Sequence, residues 1–399
     1  MARKSIVLCC DGTKNEFGIE NTNVVRLYSV LRHLPGQQIA FYHPGVGSMG
    51  APSALTPFAK MWTTLFGLAF GYGLSQQLVD LYSYLMQAYE EGDDLFVFGF
   101  SRGAYTARAL CSMLRVFGLI RCNDAVLIPY AIRLLKKYVG PIEQTQVTKT
   151  ISDQFKATFS SQEVKPHFVG VWDTVSSVGG LHNPLKVPFS ADNPDIQIGR
   201  HAVAIDERRA FYRTNLWRPP DQVPPRNIQQ VWFAGVHSDV GGGYPEPKES
   251  GLSKIALEWM VREAIAAGLL VDEGKLAKVL GGDPHFGKPD PGGKLHDSMR
   301  GWRWAEIIPR RRYSYASHTT SWIVPRAHWR TIDPGSWVHE TVFQRRSNDP
   351  SYRPANLQSE DQYQVARTRL PAAPPAAPPP VASPPSGPSQ PVPSVPPLS

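Results

Sequence analysis

An α/β fold with a mainly parallel central sheet flanked by helices is what this sequence predicts, on three observations. Short apolar runs recur at 5–10, 38–42, 95–98, 168–171 and 229–236. They have the length of buried strands and lack strict alternation, as strands covered on both faces do. Stretches with apolar residues at helical spacing separate several of them, at 21–34, 76–89 and 104–119, and another follows at 251–267. Finally, several runs end in glycine or reactive polar residues, where an open parallel sheet carries its chemistry. With 399 residues and 42% hydrophobic content, the chain can bury a large core.

The first run, Ser5 to Cys10, enters Asp11-Gly12-Thr13. A D-x-D-G-T loop after a first strand would suggest a phosphatase of haloacid-dehalogenase type, but Cys9 stands where that nucleophile belongs. The loop instead offers backbone N–H groups of Gly12 or Thr13 as oxyanion donors, with Asp11 a secondary site candidate. Asn21 to Leu34 reads as a helix capped at Asn23. Gln38 to Tyr42 is the second strand. Ala51 to Leu74 is apolar and aromatic but broken by Lys60 and three glycines, so it is too interrupted to span a membrane. It reads either as the entry to a core helix or as a cover over an acyl pocket that touches lipid, with the core reading preferred. Gln76 to Tyr89 continues as a helix, and Gly92-Asp93 turns into the next strand.

That strand, Leu95 to Phe98, runs into Gly99-Phe100-Ser101-Arg102-Gly103, and a helical stretch to Leu119 follows. This is G-x-S-x-G between a strand and a helix, the context in which a serine is lifted onto a sharp turn as a nucleophile. The N–H of Arg102 would then point at a developing oxyanion. His167 to Val171 ends at Trp172-Asp173-Thr174. His201 to Phe211 reads as helical, its Asp206-Glu207-Arg208-Arg209 run forming structural ion pairs. Gln229 to Val236 ends at His237-Ser238-Asp239, followed by Gly241-Gly242-Gly243. Ser101, Asp173 and His237 thus stand at three strand ends, and their order, Ser–Asp–His, is that of α/β-hydrolases. Asp239 competes with Asp173 for the acid role. His296 competes with His237 for the base, since many α/β-hydrolases carry their histidine after the last strand. His237 is preferred because it directly follows the apolar run.

Net charge +8 and a pI near 9.2 favour anionic partners such as phospholipid headgroups. The basic residues are scattered, the longest cluster being Arg310-Arg311-Arg312, so no nucleic-acid partner is expected. Cys9, Cys10, Cys111 and Cys122 contain no C-x-x-C, so neither a zinc site nor any other metal or cofactor is expected. Buried thiols, a first strand that begins at once, and the lack of a signal-peptide pattern or apolar span predict a cytoplasmic protein. Any export would use a route without a cleaved leader. A catalytic domain is expected over 1–350, a linker over 351–370 and a disordered tail over 371–399. The tail holds 13 of the 37 prolines and no charged or aromatic residue.

Five motifs in order carry a family resemblance: C-D-G-T at 10–13, G-F-S-R-G-A-Y-T-A-R at 99–108, V-W-D-T-V at 171–175, D-E-R-R at 206–209 and W-F-A-G-V-H-S-D-V-G-G-G-Y at 232–244. Together they resemble the α/β-hydrolase family that includes the Tle1-type phospholipase effectors of bacterial type VI secretion. The resemblance implies an α/β-hydrolase fold, a triad on Ser101, Asp173 and His237, and hydrolysis of glycerophospholipid acyl esters. It also implies peripheral membrane contact, with a secretion-machinery component or an immunity protein as partner. Two other readings stand beside it: a carboxylesterase for small soluble esters, and a catalytically silent scaffold binding a partner through its Pro-rich tail.

Overall fold

In the computed structural model, eight strands form one wholly parallel sheet: β1 (Ser5–Cys10), β2 (Gln38–His43), β3 (Asp94–Phe100), β4 (Phe168–Trp172), β5 (Ile198–Ala204), β6 (Asn227–Phe233), β7 (Trp337–His339) and β8 (Gln364–Ala366). Residues 3–12, 18, 20–45, 68–138, 142–175, 179–180, 183–184, 187–218, 227–300, 302–307, 309–314, 319–324 and 326–369 are described. Thr13, most of the apolar stretch that begins at Ala51, and the Pro-rich tail lie outside them.

The strand order is β2-β1-β3-β4-β5-β6-β7-β8. The direction of winding reverses between β1 and β3, which opens a crevice at their carboxyl ends. The predicted α/β class with a mainly parallel sheet is therefore what the chain adopts. Alternation within each strand feeds two cores. Ile6, Leu8, Cys10, Leu95 and Val97 pack on one face with α2 (Leu68–Ala88), α3 (Arg102–Phe117), α4 (Ile128–Lys137) and α5 (Ile142–Phe159). Val7, Cys9, Phe96, Phe98 and Trp172 pack on the other with α1 (Asn23–Val30) and α7 (Gly251–Ala266). Cys9 and Cys10, adjacent in sequence, thus serve opposite faces. All four cysteines are free, and Cys122 alone of them is exposed.

Three expectations are corrected. Thr22, rather than Asn23, caps α1, its side chain accepting from the Val25 N–H, while Asn23 Nδ2 donates to the Val240 and Ser253 carbonyls. The stretch from His201, expected as a helix, begins inside β5, which is hydrogen-bonded on both sides by β4 and β6. An apolar run of that length carries too few residues for its period to separate helix from strand, and central placement in the sheet decides. The linker expected over 351–370 contains β8, which closes the sheet edge beside β7. Tyr352, Leu357 and Tyr363 are buried there with Val338, Val342 and Phe343 from β7 and α8 (Glu340–Asn348).

Candidate active site

Ser101 sits between β3 and α3 with φ 59° and ψ −120°, a strained conformation for a residue with a Cβ. Two glycines make the turn possible. A Cβ on Gly99 would fall 2.6 Å from the Gly103 carbonyl oxygen, and one on Gly103 would fall 2.2 Å from the Cys10 oxygen. The elbow is thereby pressed against the end of β1. The Ser101 N–H donates to the Trp172 carbonyl at 3.1 Å, tying the elbow to β4.

Asp173 follows β4, also at positive φ (38°), and is fully buried. Its carboxylate accepts four hydrogen bonds. The Ala204 N–H reaches Oδ1 at 3.0 Å, the Arg330 guanidinium reaches Oδ1 at 2.6 Å and Oδ2 at 3.0 Å, and His237 Nδ1–H reaches Oδ2 at 2.6 Å. His237 opens the short helix α6 (His237–Gly241) after β6. Its backbone N–H donates to Glu207 Oε2 at 3.2 Å, and its Nε2 lies 2.8 Å from Ser101 Oγ. With Nδ1–H committed to Asp173, Nε2 is the acceptor for the serine hydroxyl proton. Phe100 and Tyr212 both lie 4.6 Å from the imidazole between ring centres and fix its plane.

The electrostatics suit a general base. Burial pushes the His237 pKa down more than the adjoining Asp173 carboxylate lifts it, so the ring is neutral at neutral pH. Burial alone would raise Asp173, but Arg330 and His237 outweigh it and hold its carboxyl well below the usual range. Burial also lowers the Arg102 guanidinium to about 10. Burial opposes the charge on Glu207, yet its pairing with Arg209 at 2.8 Å keeps its pKa low.

Ser101, Asp173 and His237 are thus brought together as the sequence predicts, and the two rivals are diverted. Asp239 Oδ1 accepts from His296 Nδ1 at 2.6 Å, and His296 Nε2 contacts Glu249 Oε2 at 3.1 Å. The rival pair is therefore a second acid–histidine cluster, with Tyr244 stacked on the His296 ring at 3.5 Å. Asp239 Oδ2 also accepts the Val236 N–H, fastening the start of α6. Among the expected oxyanion donors, Arg102 opens α3 at the positive end of its dipole, whereas the Gly12 N–H donates to Asp11 Oδ1 at 2.7 Å. Asp11 is buried, and its Oδ2 accepts from the Thr22 and Tyr42 hydroxyls. These bonds give it a structural hold on the β1 loop. The expected ion pair in 206–209 forms between Glu207 and Arg209, while Asp206 accepts from the Gly235 N–H and the Tyr352 hydroxyl. Arg330 was not singled out from the sequence. It lies more than 150 residues from Asp173 in a stretch crowded with arginines, and no spacing marks it.

A parallel sheet with serine, acid and histidine after its third, fourth and sixth strands places the chain in the α/β-hydrolase-like class. The model for the type VI secretion phospholipase effector Tle1-like catalytic domain matches residues 4–263. The chain belongs to that family. The uncharacterized protein YEL023C of Saccharomyces cerevisiae is 34% identical over 230 residues, which are 55% of this chain and 34% of that protein. The chain thus spans about a third of the length of that relative. An uncharacterized protein from Pseudomonas aeruginosa of known crystal structure overlaps 67% of this chain and 46% of its own, at 20% identity and a TM-score of 0.45. The Tle1 effector solved bound to the VgrG spike of a type VI secretion system overlaps 63% of this chain and 53% of its own, at 17% identity and a TM-score of 0.35. Among the described residues, no helix is long and apolar enough to cross a membrane.

Proposed function

We propose that this chain is a serine esterase that cleaves acyl ester bonds of glycerophospholipids, releasing a fatty acid and a lysophospholipid. The observation that carries the reading is the hydrogen-bonded line from Ser101 Oγ through His237 to Asp173, at 2.8 and 2.6 Å. In this mechanism Ser101 Oγ attacks the ester carbonyl while His237 Nε2 takes its proton. The tetrahedral oxyanion is met by the Arg102 N–H. Its collapse expels the glycerol alkoxide, which takes the proton from His237, and leaves the acyl group on Ser101. A water deprotonated by His237 then frees the fatty acid. Asp173 holds the ring and offsets the charge of the imidazolium.

The phospholipid substrate and a role as an antibacterial effector exported by type VI secretion are supported by the family to which the chain belongs. On that reading its partners are a spike protein of the secretion machinery and an immunity protein. Wild type and Ser101→Ala, assayed on defined phospholipids and on a monomeric soluble ester, test the chemistry. Wild type should release fatty acid. Ser101→Ala should fall by about three orders of magnitude or more while melting as a folded protein. Release of the headgroup, or near-normal turnover by Ser101→Ala, would refute it. Preference for monomeric over aggregated substrate would keep the triad and replace phospholipid by a small soluble ester.

A further inference from the structure

Between Trp302 and Arg330 the chain makes an excursion that begins and ends beside the triad. At its start, the Trp302 ring meets Tyr212 edge-on at 6.3 Å, and Tyr212 in turn lies on His237. At its end, Arg330 grips Asp173. Its neck is fastened to the residues before Tyr212: the Ala210 N–H donates to Glu306 Oε1 at 2.9 Å, and Arg208 Nε donates to the Ala327 carbonyl at 3.0 Å. The Arg326 N–H closes the neck on the Glu306 carbonyl at 3.0 Å. Within it lie a single helical turn, Arg303–Ile307, and an antiparallel ribbon of Arg310–Ser314 with Thr319–Ile323.

The excursion exposes residues that water does not favour. Trp304 is 49% exposed, Ile307 69%, Trp322 59% and Val324 38%. Single exposed apolar residues are ordinary, but two tryptophans, an isoleucine and a valine are exposed here within 21 residues, and the Arg326–Glu306 bond holds the end of the ribbon stretch beside the helical turn. The same stretch carries Arg303, Arg326 and the three arginines of 310–312, with Arg311 opposite Trp322 in the ribbon register. Its one acid, Glu306, is buried and bound to Ala210. Tryptophan and aliphatic residues interleaved with arginines suit a surface that is apolar below and anionic above. A protein partner would need a complementary shape, whereas a bilayer needs only that layering and that sign of charge.

We propose that this face, built on Arg303, Trp304, Ile307, Trp322, Val324 and Arg326, docks the protein on an anionic phospholipid bilayer. The docking brings the lipid ester to the triad, and in this it rests on the esterase reading. The test uses the full chain carrying Ser101→Ala, so that vesicles survive the measurement. It should co-sediment with phosphatidylglycerol vesicles, bind phosphatidylcholine vesicles poorly, and release as salt is raised. Adding Trp304→Ser, Ile307→Ser and Trp322→Ser should lower the partition by about ten-fold or more. Arg303→Glu with Arg326→Glu should abolish the preference for phosphatidylglycerol. With Ser101 restored, the triple variant should still hydrolyse a monomeric soluble ester at the parental rate. If it does not, Ile307→Asp alone takes its place. Equal vesicle binding by parent and variants would overturn the proposal. So would no vesicle binding at all, which would assign the face to a protein partner. Vesicle docking by Ser101→Ala alongside a wild type that cleaves no acyl ester would leave the docking intact and sink the esterase reading alone.

Discussion

With Arg330 bonded to both oxygens of Asp173, the acid of the triad carries a cation of its own. A lone carboxylate would favour the imidazolium strongly. A carboxylate shared with a guanidinium favours it less, which helps keep His237 neutral and ready to accept a proton. Arg330→Met should therefore raise the His237 pKa and move the acid limb of the kcat/KM–pH profile on a soluble ester to higher pH. In the wild type that limb should lie below about pH 6.5, the ordinary histidine value, because burial depresses His237. The variant also leaves a buried carboxylate without one partner, at a cost of about 3–5 kcal/mol, so its melting temperature should fall as well. Lysine at 330 should restore the position of the limb in part, since it supplies charge without the two-pronged grip. An unmoved limb in a folded Arg330→Met protein would reduce the arginine to a structural role. At this scale the serine was legible because a strand, a glycine-flanked turn and a helix are local in sequence. Asp173 and His237 were legible because each ends an apolar run. Arg330 was not, since its place depends on a long excursion returning to the site.

At the scale of elements, α6 is held by a cluster that resembles a second triad arm and does a different job. His296 lies between Asp239 and Glu249, with Lys294 also on Glu249 and Tyr244 against the ring face. Burial disfavours its charge, but the two carboxylates outweigh that and raise its pKa. A histidine raised in the folded state stabilises fully below its unfolded value, about 6.5, and loses that contribution as pH climbs through its folded value. His296→Gln should therefore lower the melting temperature more at about pH 5.5 than at about pH 9. It should leave turnover of a soluble ester largely intact, because His296 faces Asp239 and Glu249 and Ser101 has its own histidine. A deficit that is the same at both pH values would show that the charge contributes nothing. A dead His296→Gln enzyme would return the base to contention. Sequence pattern placed β1, β3, β4, β6, α3 and α7 well, because each is either a sharp apolar run or long and periodic. It failed at β5, whose identity comes from its neighbours in the sheet.

Taken whole, the molecule extends further along the chain than composition suggested. β8 completes the sheet, and Tyr352, Leu357 and Tyr363 fill the core beneath it. A chain ending at Arg369 should melt within a few degrees of the full protein, since the residues removed have no composition for a core. One ending at Pro350 should melt far lower or not fold, because it loses an edge strand and three buried side chains, each worth about 1.5–3 kcal/mol of burial. Equal stability of the two truncations would make 351–369 dispensable. This part of the architecture escaped sequence reading for a physical reason. β8 is three residues long, and a strand that short has no period to detect.

The sheet is parallel throughout, and that has a consequence in time. Ser5 lies opposite Asp94, and Phe96 opposite Phe168, so neighbouring strands meet only after long stretches of chain have been made and crossed over. Ser101 and Asp173 belong to the crossings after β3 and β4, and His237 and Arg330 to the start and end of the crossing between β6 and β7. During synthesis the elbow leaves the ribosome well before its base, and the base before the arginine that sets its acid. A nascent chain that has not reached Arg330 therefore carries a serine without its full set of partners, and on the esterase reading its competence waits for residues made more than 200 positions later. On that reading, a cell that makes this protein is spared its chemistry until the stretch around residue 330 has been made and folded back onto the sheet.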